Sequence, residues 1–442
     1  MGLNAGLRRT QLYVGTTTQA TAAWPIPMLE FAPAMQLVHL SLTNFRNFIR
    51  LEMDFQPGTT LVIGPNAQGK TSLLEAIDYL VDAASSRSAS DRELINFLVG
   101  AEPGAFARIV AEIRRGDQPQ RLEIRLIADA GRNGGESRIL KEILLNGVRR
   151  RAGDLAGVFN AVLFLPEDLR VLEGPPAERR RFLDRTLAQA DSAYAQALSE
   201  FNRALTQRNA LLRHLQDRGG DPGQLEVWDS PLIESAAKLV RTRAVSLAEL
   251  ERLAQPIHAS LTRGTERLRL TYRPSGLARA SDGQMALPLE DTEDWAARSQ
   301  VSVADGLRRA LAAARPEELA RGMTVVGPHR DDFRFLAEGV DLRSYGSRGQ
   351  NRTAMISSKL AQAEWLYART GEWPVLLLDE TLAELDQARR NDVLERVGRV
   401  PQSVWTAADL RLFPPAFLAS GTVWELRAGT LSMAQDPIAP DL

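Results

Sequence analysis

The spacing of apolar positions divides the chain into three stretches of different period. From Met35 to about Phe164 strands dominate. Leu37, Val38, Leu40 and Leu42 begin one, and LVIG (61–64) is a short buried one. Residues 107–115, 120–129 and 138–147 read as a meander whose longest break is a Gly-rich turn from Gly131 to Gly135. Inside this region Lys70 to Val81 is predicted as a helix, with Leu73, Leu74, Ile77 and Leu80 at helical spacing.

From about Pro175 to Arg321 the character is helical. Residues 177–216 are rich in helix formers, lack Pro and Gly, and predict one helix, ended by Gly219 to Gly223 with Pro222. A second helix over about 229–261 makes an antiparallel arm with it. Residues 274–290 read as an exposed loop, and no heptad is sustained for long enough to make a long coiled coil. The α/β pattern then resumes. It predicts a strand near Met323, a helix over about 352–369, the strand VLLLD (375–379), a helix from Asp386 and the strand SVWTA (403–407). The ends differ from the rest. Residues 1–34 are rich in Thr, Ala and Pro and read as a disordered extension, with Met35 an alternative translation start. Residues 434–442 read as a frayed tail. The predicted organisation is an α/β body over 35–172 and 322–433, with a helical arm, 173–321, inserted in it.

Composition narrows the function classes. At 44% hydrophobic and 25% charged residues, the chain reads as an ordinary soluble globular protein. No apolar run reaches the length of a membrane span and none follows Arg8 and Arg9, so a cytoplasmic protein without membrane partners is expected. With no cysteine, disulfides and thiolate metal sites are excluded, and four histidines make a histidine metal cluster improbable. A net charge of −1 advertises no nucleic-acid partner. Among 54 basic residues only Lys70, Lys141, Lys238 and Lys359 are lysine. A lysine in so arginine-rich a chain is informative, because it marks a place for a compact point charge.

Lys70 lies in GPNAQGKTS, between a predicted strand and a predicted helix, which is the setting of a P-loop. Gly64, Pro65, Asn66, Ala67, Gln68 and Gly69 form the loop that aims backbone N–H groups at phosphates of ATP. Lys70 is expected on the β- and γ-phosphates. Thr71 or Ser72 is expected on Mg²⁺ through its hydroxyl. PVLLLDE (374–380) reads as the matching acidic strand, with Asp379 on Mg²⁺ and Glu380 polarising the attacking water. SRGQNR (347–352) opens a predicted helix. On its own, Ser347 there is a simple N-cap. In the order P-loop, SRGQNR, acidic strand, it resembles the signature of the ATP-binding-cassette superfamily. Ser347, Gly349 and Gln350 would then meet the γ-phosphate held by a second copy. AELD (383–386) resembles the D-loop of that superfamily, and Thr406 stands at its switch position, where many members carry His.

Together these motifs resemble the SMC-like head ATPases, and the resemblance to the RecF family is close, covering almost all of residues 35–410. It is carried also by TNFRNF (43–48), FLPEDLRVLEGPPAERRRFLD (164–184), QRNALLR (207–213), VGPHRDDF (326–333) and YGSRGQNRT (345–353). It implies an α/β ABC-ATPase head of mixed sheets and helices with an inserted helical arm. It also implies ATP-dependent binding of duplex or gapped DNA by a dimer, slow hydrolysis, partners of the RecR and RecO type, and roles in recombinational repair, replication and the SOS response. Arg46 would approach the nucleotide phosphates, with a surface arginine on a strand end as the alternative. Ala383 and Glu380 depart from the pattern, which often has Ser and Asp there.

Two arginine clusters, Arg149-Arg150-Arg151 and Arg179-Arg180-Arg181, are candidate DNA-phosphate contacts, with a solvated face as the alternative for each. His329-Arg330-Asp331-Asp332 reads as a structural network or an interdomain contact rather than an acid–base site. Competing readings are a transporter ATPase, a nuclease with a similar head, and a DNA-binding scaffold with a degenerate ATP site. The roughly 300 residues between the P-loop and the acidic strand argue against the first. The lack of a further acid-rich domain argues against the second, and intact Lys70, Asp379 and Glu380 against the third.

Overall fold

The computed structural model describes residues 35–434, apart from 89, 100–103, 117, 130–137 and 278–293. The predicted extension 1–34, the turn Gly131 to Gly135, most of the loop 274–290 and nearly all of the tail lie outside the described residues.

β1 (Met35–Phe45) and β2 (Phe48–Asp54) form a hairpin, and β3 (Gly58–Ile63) runs through the P-loop into α1 (Lys70–Asp82). β4 (Phe106–Arg115), β5 (Gln118–Asp129), β6 (Arg138–Leu145) and β7 (Val148–Arg150) extend the hairpin into an antiparallel sheet, order β2-β1-β4-β5-β6-β7. After β8 (Ala161–Phe164) and the short α2 (Leu169–Glu173) come α3 (Pro176–Ala190), α4 (Ser192–Arg218) and α5 (Glu226–Leu261). β9 (Leu268–Arg273) and α6 (Gln300–Arg321) precede β10 (Asp332–Ala337) and β11 (Val340–Asp341), and the three strands form a small sheet. The chain ends through α7 (Leu342–Tyr345), α8 (Arg348–Thr370), β12 (Val375–Asp379), α9 (Gln387–Val397), β13 (Gln402–Ala407), α10 (Pro415–Ala419), β14 (Thr422–Arg427) and β15 (Thr430–Met433).

The third sheet, order β15-β14-β3-β13-β12-β8, draws strands from both ends of the chain. Its pairs are parallel except β14–β15. β12 shows why its sequence is an unbroken apolar run. Val375 and Leu377 pack in the core shared with α1 and the antiparallel sheet, whereas Leu376 and Leu378 pack in the core shared with the helices. A strand covered on both faces has no position for a polar residue until it ends. That second core is continuous from β12 and β13 through α8 to α5 and α4.

Three expectations need correction. Residues 177–216 are not one helix. The chain turns at Asp191, whose extended backbone (φ −133°) and carboxylate, accepting from the Tyr194 amide at 3.0 Å, cap a new helix. The strand expected near Met323 is absent, and the strand is β10. Thr324 N donates instead to Asn209 Oδ1 (2.8 Å) and Val325 N to Glu318 Oε1 (3.1 Å), so side chains take the donors a strand would use. Arg179 cannot present itself to DNA, because it is buried, pairs with Asp332 at 2.6 Å and donates to the carbonyls of Val171, Leu172 and Gly174.

Candidate nucleotide site

In a parallel sheet the carboxyl ends of the strands share one edge, and the loops leaving them converge there. β3 and β12 are separated by β13 alone, in a register that sets Asp379 beside Thr406 and Thr406 beside Val62. The P-loop leaves β3 at that edge. Gly64 (φ +156°) lies so close to β14 that a Cβ would stand 2.2 Å from Leu426 O, and Gly69 (φ +106°) so close to Asn47 that a Cβ would stand 2.3 Å from its amide. Both positions need glycine, and the loop stays open toward its centre. Gln68 Oε1 accepts from Ala428 N at 2.6 Å and Asn47 Nδ2 donates to Gln68 O at 2.8 Å, so the loop is fastened on two sides.

Lys70, the first residue of α1, is buried. Its ammonium donates to Gly64 O (2.7 Å) and Pro65 O (3.0 Å), stands 3.5 Å from Asn66 Oδ1, and pairs with Glu380 Oε1 at 3.3 Å. Next to it Thr71 Oγ1 donates to Asp379 Oδ2 at 2.8 Å, and Thr406 Oγ1 donates to Asp379 Oδ1 at 2.5 Å. Burial pushes the Asp379 carboxyl up, helped by the neighbouring Glu380 charge. The hydroxyls of Thr406 and Thr71 pull against it. A cation beside Asp379 would favour its charged form. Thr71 and Asp379 are hard oxygen donors of the kind Mg²⁺ takes, and Mg²⁺ needs only one or two protein ligands where phosphates supply others. Glu380 adopts φ +44°, a conformation uncommon outside glycine, with its amide donating to Thr406 O at 3.1 Å.

Above these residues opens a cleft of about 620 Å³, large enough for a nucleotide. The P-loop residues Asn66, Ala67, Gly69, Lys70, Thr71 and Ser72 line it together with Asp379 and Glu380. Arg46 stands in its wall, held bidentately by Glu75 at 2.9 and 2.8 Å. Sequence reasoning missed Asn47, Arg87, Glu93, Phe97 and Glu167, which also line it. Arg87 lies 3.8 Å from Glu167 and 4.0 Å from Glu75. Two of these stood inside quoted motifs, Asn47 in TNFRNF and Glu167 in FLPEDL, and that was the available signal.

Ser347, Gly349 and Gln350 are not in the cleft lining. Ser347 caps α8 in a reciprocal box with Gln350: Oγ accepts from Gln350 N at 3.2 Å and Ser347 N donates to Gln350 Oε1 at 2.9 Å. Around it the surface is open: Ser347 and Gly349 are exposed, Gln350 is half-buried, and Tyr345 is 78% exposed. The N-terminus of α8 is therefore exposed to solvent in this chain.

A larger cavity, about 690 Å³, lies between α1, α3 and α4. It holds no phosphate cradle. Its Arg185 is neutralised by Asp78 and Asp82, and its Arg243 by Asp184 and Asp331. Arg180 and Arg181 line it too, Arg180 donating to Asp331 O at 2.7 Å and Arg181 to Ser85 O. Asp331 is buried among Arg243, Tyr272 and the Ser275 amide, and Asp332 holds Arg179. In the second basic cluster Arg149, Arg150 and Arg151 are exposed, with Arg149 paired to Glu142.

The fold and this site define an ABC-type ATPase head of the SMC-like kind. The RecF/RecN/SMC N terminal domain family matches residues 36–404. The DNA replication and repair protein RecF of Chloroflexus aggregans is 40% identical over 409 residues, spanning 90% of this chain and 99% of that protein. That of Chloroflexus aurantiacus is 41% identical over 401 residues, spanning 87% and 96%. A solved structure of the recombination mediator protein RecF with ATP, of the RecFOR pathway, superposes with a TM-score of 0.77 at 28% identity, covering 92% of this chain and 99% of that one. The Smc head domain of Pyrococcus furiosus, at 16% identity and a TM-score of 0.50, shares the fold. The chain belongs to the RecF family.

Proposed function

We propose that this protein is an ATP-gated DNA clamp of recombinational repair and replication. One observation carries the reading: the P-loop and the acidic strand share one cleft, while Ser347, which would close over a γ-phosphate, is exposed and stands outside the lining of that cleft in the same chain. A second copy, turned to face the first, can bring its Ser347 and Gly349 to that phosphate. ATP then joins two heads.

In this account the P-loop amides and Lys70 bind the phosphates, Lys70 exchanging its bonds to Gly64 O and Pro65 O for phosphate oxygens. Thr71 and Asp379 would hold Mg²⁺, which would supply neutralisation of phosphate charge. Glu380, at the end of β12, orients the attacking water and accepts its proton. Thr406 keeps the Asp379 carboxylate turned toward Thr71. Hydrolysis removes the shared γ-phosphate and releases the dimer, so a slow, DNA-stimulated turnover has a conformation as its output.

The relatives' names support DNA as a partner, and the RecFOR pathway of the solved structure supports proteins of the RecR and RecO type. We extend this to duplex or gapped DNA as the substrate, with recombinase loading and the SOS response downstream. Backbone contacts with little sequence preference are expected, and Arg149, Arg150 and Arg151 are the exposed candidates for them. The test is DNA binding measured with ATP, ADP and a non-hydrolysable analogue, beside the oligomeric state. Binding by an ATP-bound dimer supports the clamp; nucleotide-indifferent binding by a monomer refutes it.

A further inference from the structure

The wall of the nucleotide cleft is polar except at a few positions, and one of these has no structural reason to be apolar. Phe97 lines the cleft and is 79% exposed. Among the described residues it is the one aromatic ring in the lining. A phenylalanine left in water in this way gains little for the fold, since most of its area stays in solvent.

Its placement is nevertheless fixed. Arg46 N donates to Leu94 O and Arg46 Nη1 to Glu93 O, at 2.8 and 3.0 Å. Ile95 bridges to Phe45, and the buried Asn96 donates its amide to Asn44 O at 2.8 Å. Asn96 Oδ1 then accepts from Leu98 N at 2.8 Å and Asn96 O accepts from Val99 N at 3.1 Å, which forms the tight turn over Phe97–Val99. Residues 93–96 are thus sewn to the β1–β2 turn, the same turn that places Asn47 against Gly69. Phe97 is delivered to the cleft from the side of Arg46 and Asn47, whereas the carboxylates come from β12.

A nucleoside triphosphate has two chemically different ends. The P-loop and the carboxylates provide for the phosphates, and among the described residues of the lining Phe97 is the aromatic face open to the base, beside the aliphatic Ile95 and Pro166. We propose that Phe97 is the platform on which the purine of the bound nucleotide stacks, making it a determinant of affinity for nucleotides over bare polyphosphate. This deepens the ATP-binding reading and rests on it. Stacking on a phenyl ring tolerates any base, so the platform selects for the presence of a base and not for adenine.

The neighbouring Leu98 is also exposed, which makes a contact with a second copy the competing use of this turn. The experiment removes that ambiguity by working in a Ser347→Arg background, where the proposed dimer is blocked. Calorimetric titration compares ATP with inorganic tripolyphosphate, each with Mg²⁺, before and after Phe97→Ala and Phe97→Trp. The expected result is a loss of about 5- to 100-fold in ATP affinity for Phe97→Ala. Tripolyphosphate affinity should stay unchanged and Phe97→Trp should retain ATP. Equal weakening of both ligands, unaltered ATP binding, or equal affinity for the two ligands before substitution overturns the proposal and leaves ATP binding intact. Failure to bind either ligand before substitution overturns both readings.

Discussion

Thr71 Oγ1 donates a 2.8 Å hydrogen bond to Asp379 Oδ2, although 308 residues separate the two in sequence. The bond joins the first turn of α1 to the end of β12 and closes the cleft floor. Glu380 follows directly, within 3.3 Å of Lys70.

From this geometry binding and hydrolysis should separate by mutation. Lys70→Ala is predicted to abolish nucleotide binding. Glu380→Gln keeps the side-chain shape and the phosphate cradle but cannot take a proton. It is predicted to bind ATP normally and to slow single-turnover hydrolysis by about 10²- to 10⁴-fold. Hydrolysis at the wild-type rate in Glu380→Gln would remove that residue from the chemistry.

The motif QRNALLR has a structural meaning in Arg208. Its fully buried guanidinium donates to Asp229 (2.8 Å), Thr324 (2.8 Å) and Glu318 (2.7 Å), and Glu318 is itself fully buried. Removing one partner leaves a charge without compensation in the interior. Arg208→Ala is predicted to lower stability by about 3–5 kcal/mol in urea unfolding. The double variant Arg208→Met with Glu318→Leu should recover much of that loss. A cost under about 1 kcal/mol for Arg208→Ala would show that the network is not strongly coupled.

How much of this was legible in sequence depended on the range of the interactions involved. The P-loop and β12 were readable because each is a local pattern whose chemistry tolerates few alternatives. The break at Asp191 also had a local signal, an Asp followed by Ser, but strong helix propensity on both sides masked it. β9 and β14 were missed because their partners are distant: β9 pairs with β10 across α6, and β14 with β3 across most of the chain. The MTVV segment at 323–326 has strand composition, yet Asn209 and Glu318 claim its amides. Arg179 looked like its neighbours Arg180 and Arg181, and only its fold context shows that its charge is spent on Asp332. Arg87, Glu93 and Phe97 enter the cleft from a segment with no periodicity, so nothing local marked them.

His329 supplies a pH-dependent prediction. Burial lowers its pKa to about 4, and the cations Arg330, Arg180 and Arg243 act in the same direction, against the Thr324 carbonyl at 3.1 Å. Because the folded pKa lies below the ordinary value of 6.5, the unfolded chain takes up the proton first as pH falls. The contribution of this group is complete above pH 6.5 and is lost between pH 6.5 and about 4. The loss amounts to roughly 3 kcal/mol at most. His329→Gln should flatten the stability profile in that window relative to the wild type, as read from urea midpoints. Parallel profiles would show that His329 is not held neutral by the fold.

The central claim is that two copies share each ATP, and the direct measurement is molar mass in solution with ATP, by sedimentation or light scattering, for three proteins. The wild type is predicted to double its mass with ATP and not with ADP. Lys70→Ala should remain a monomer because it cannot hold the nucleotide. Ser347→Arg should remain a monomer while still binding ATP, because its own cleft is intact and only the surface offered to the other copy has changed. Doubling that persists in both variants, or a wild type that stays monomeric with ATP bound, would contradict the shared site.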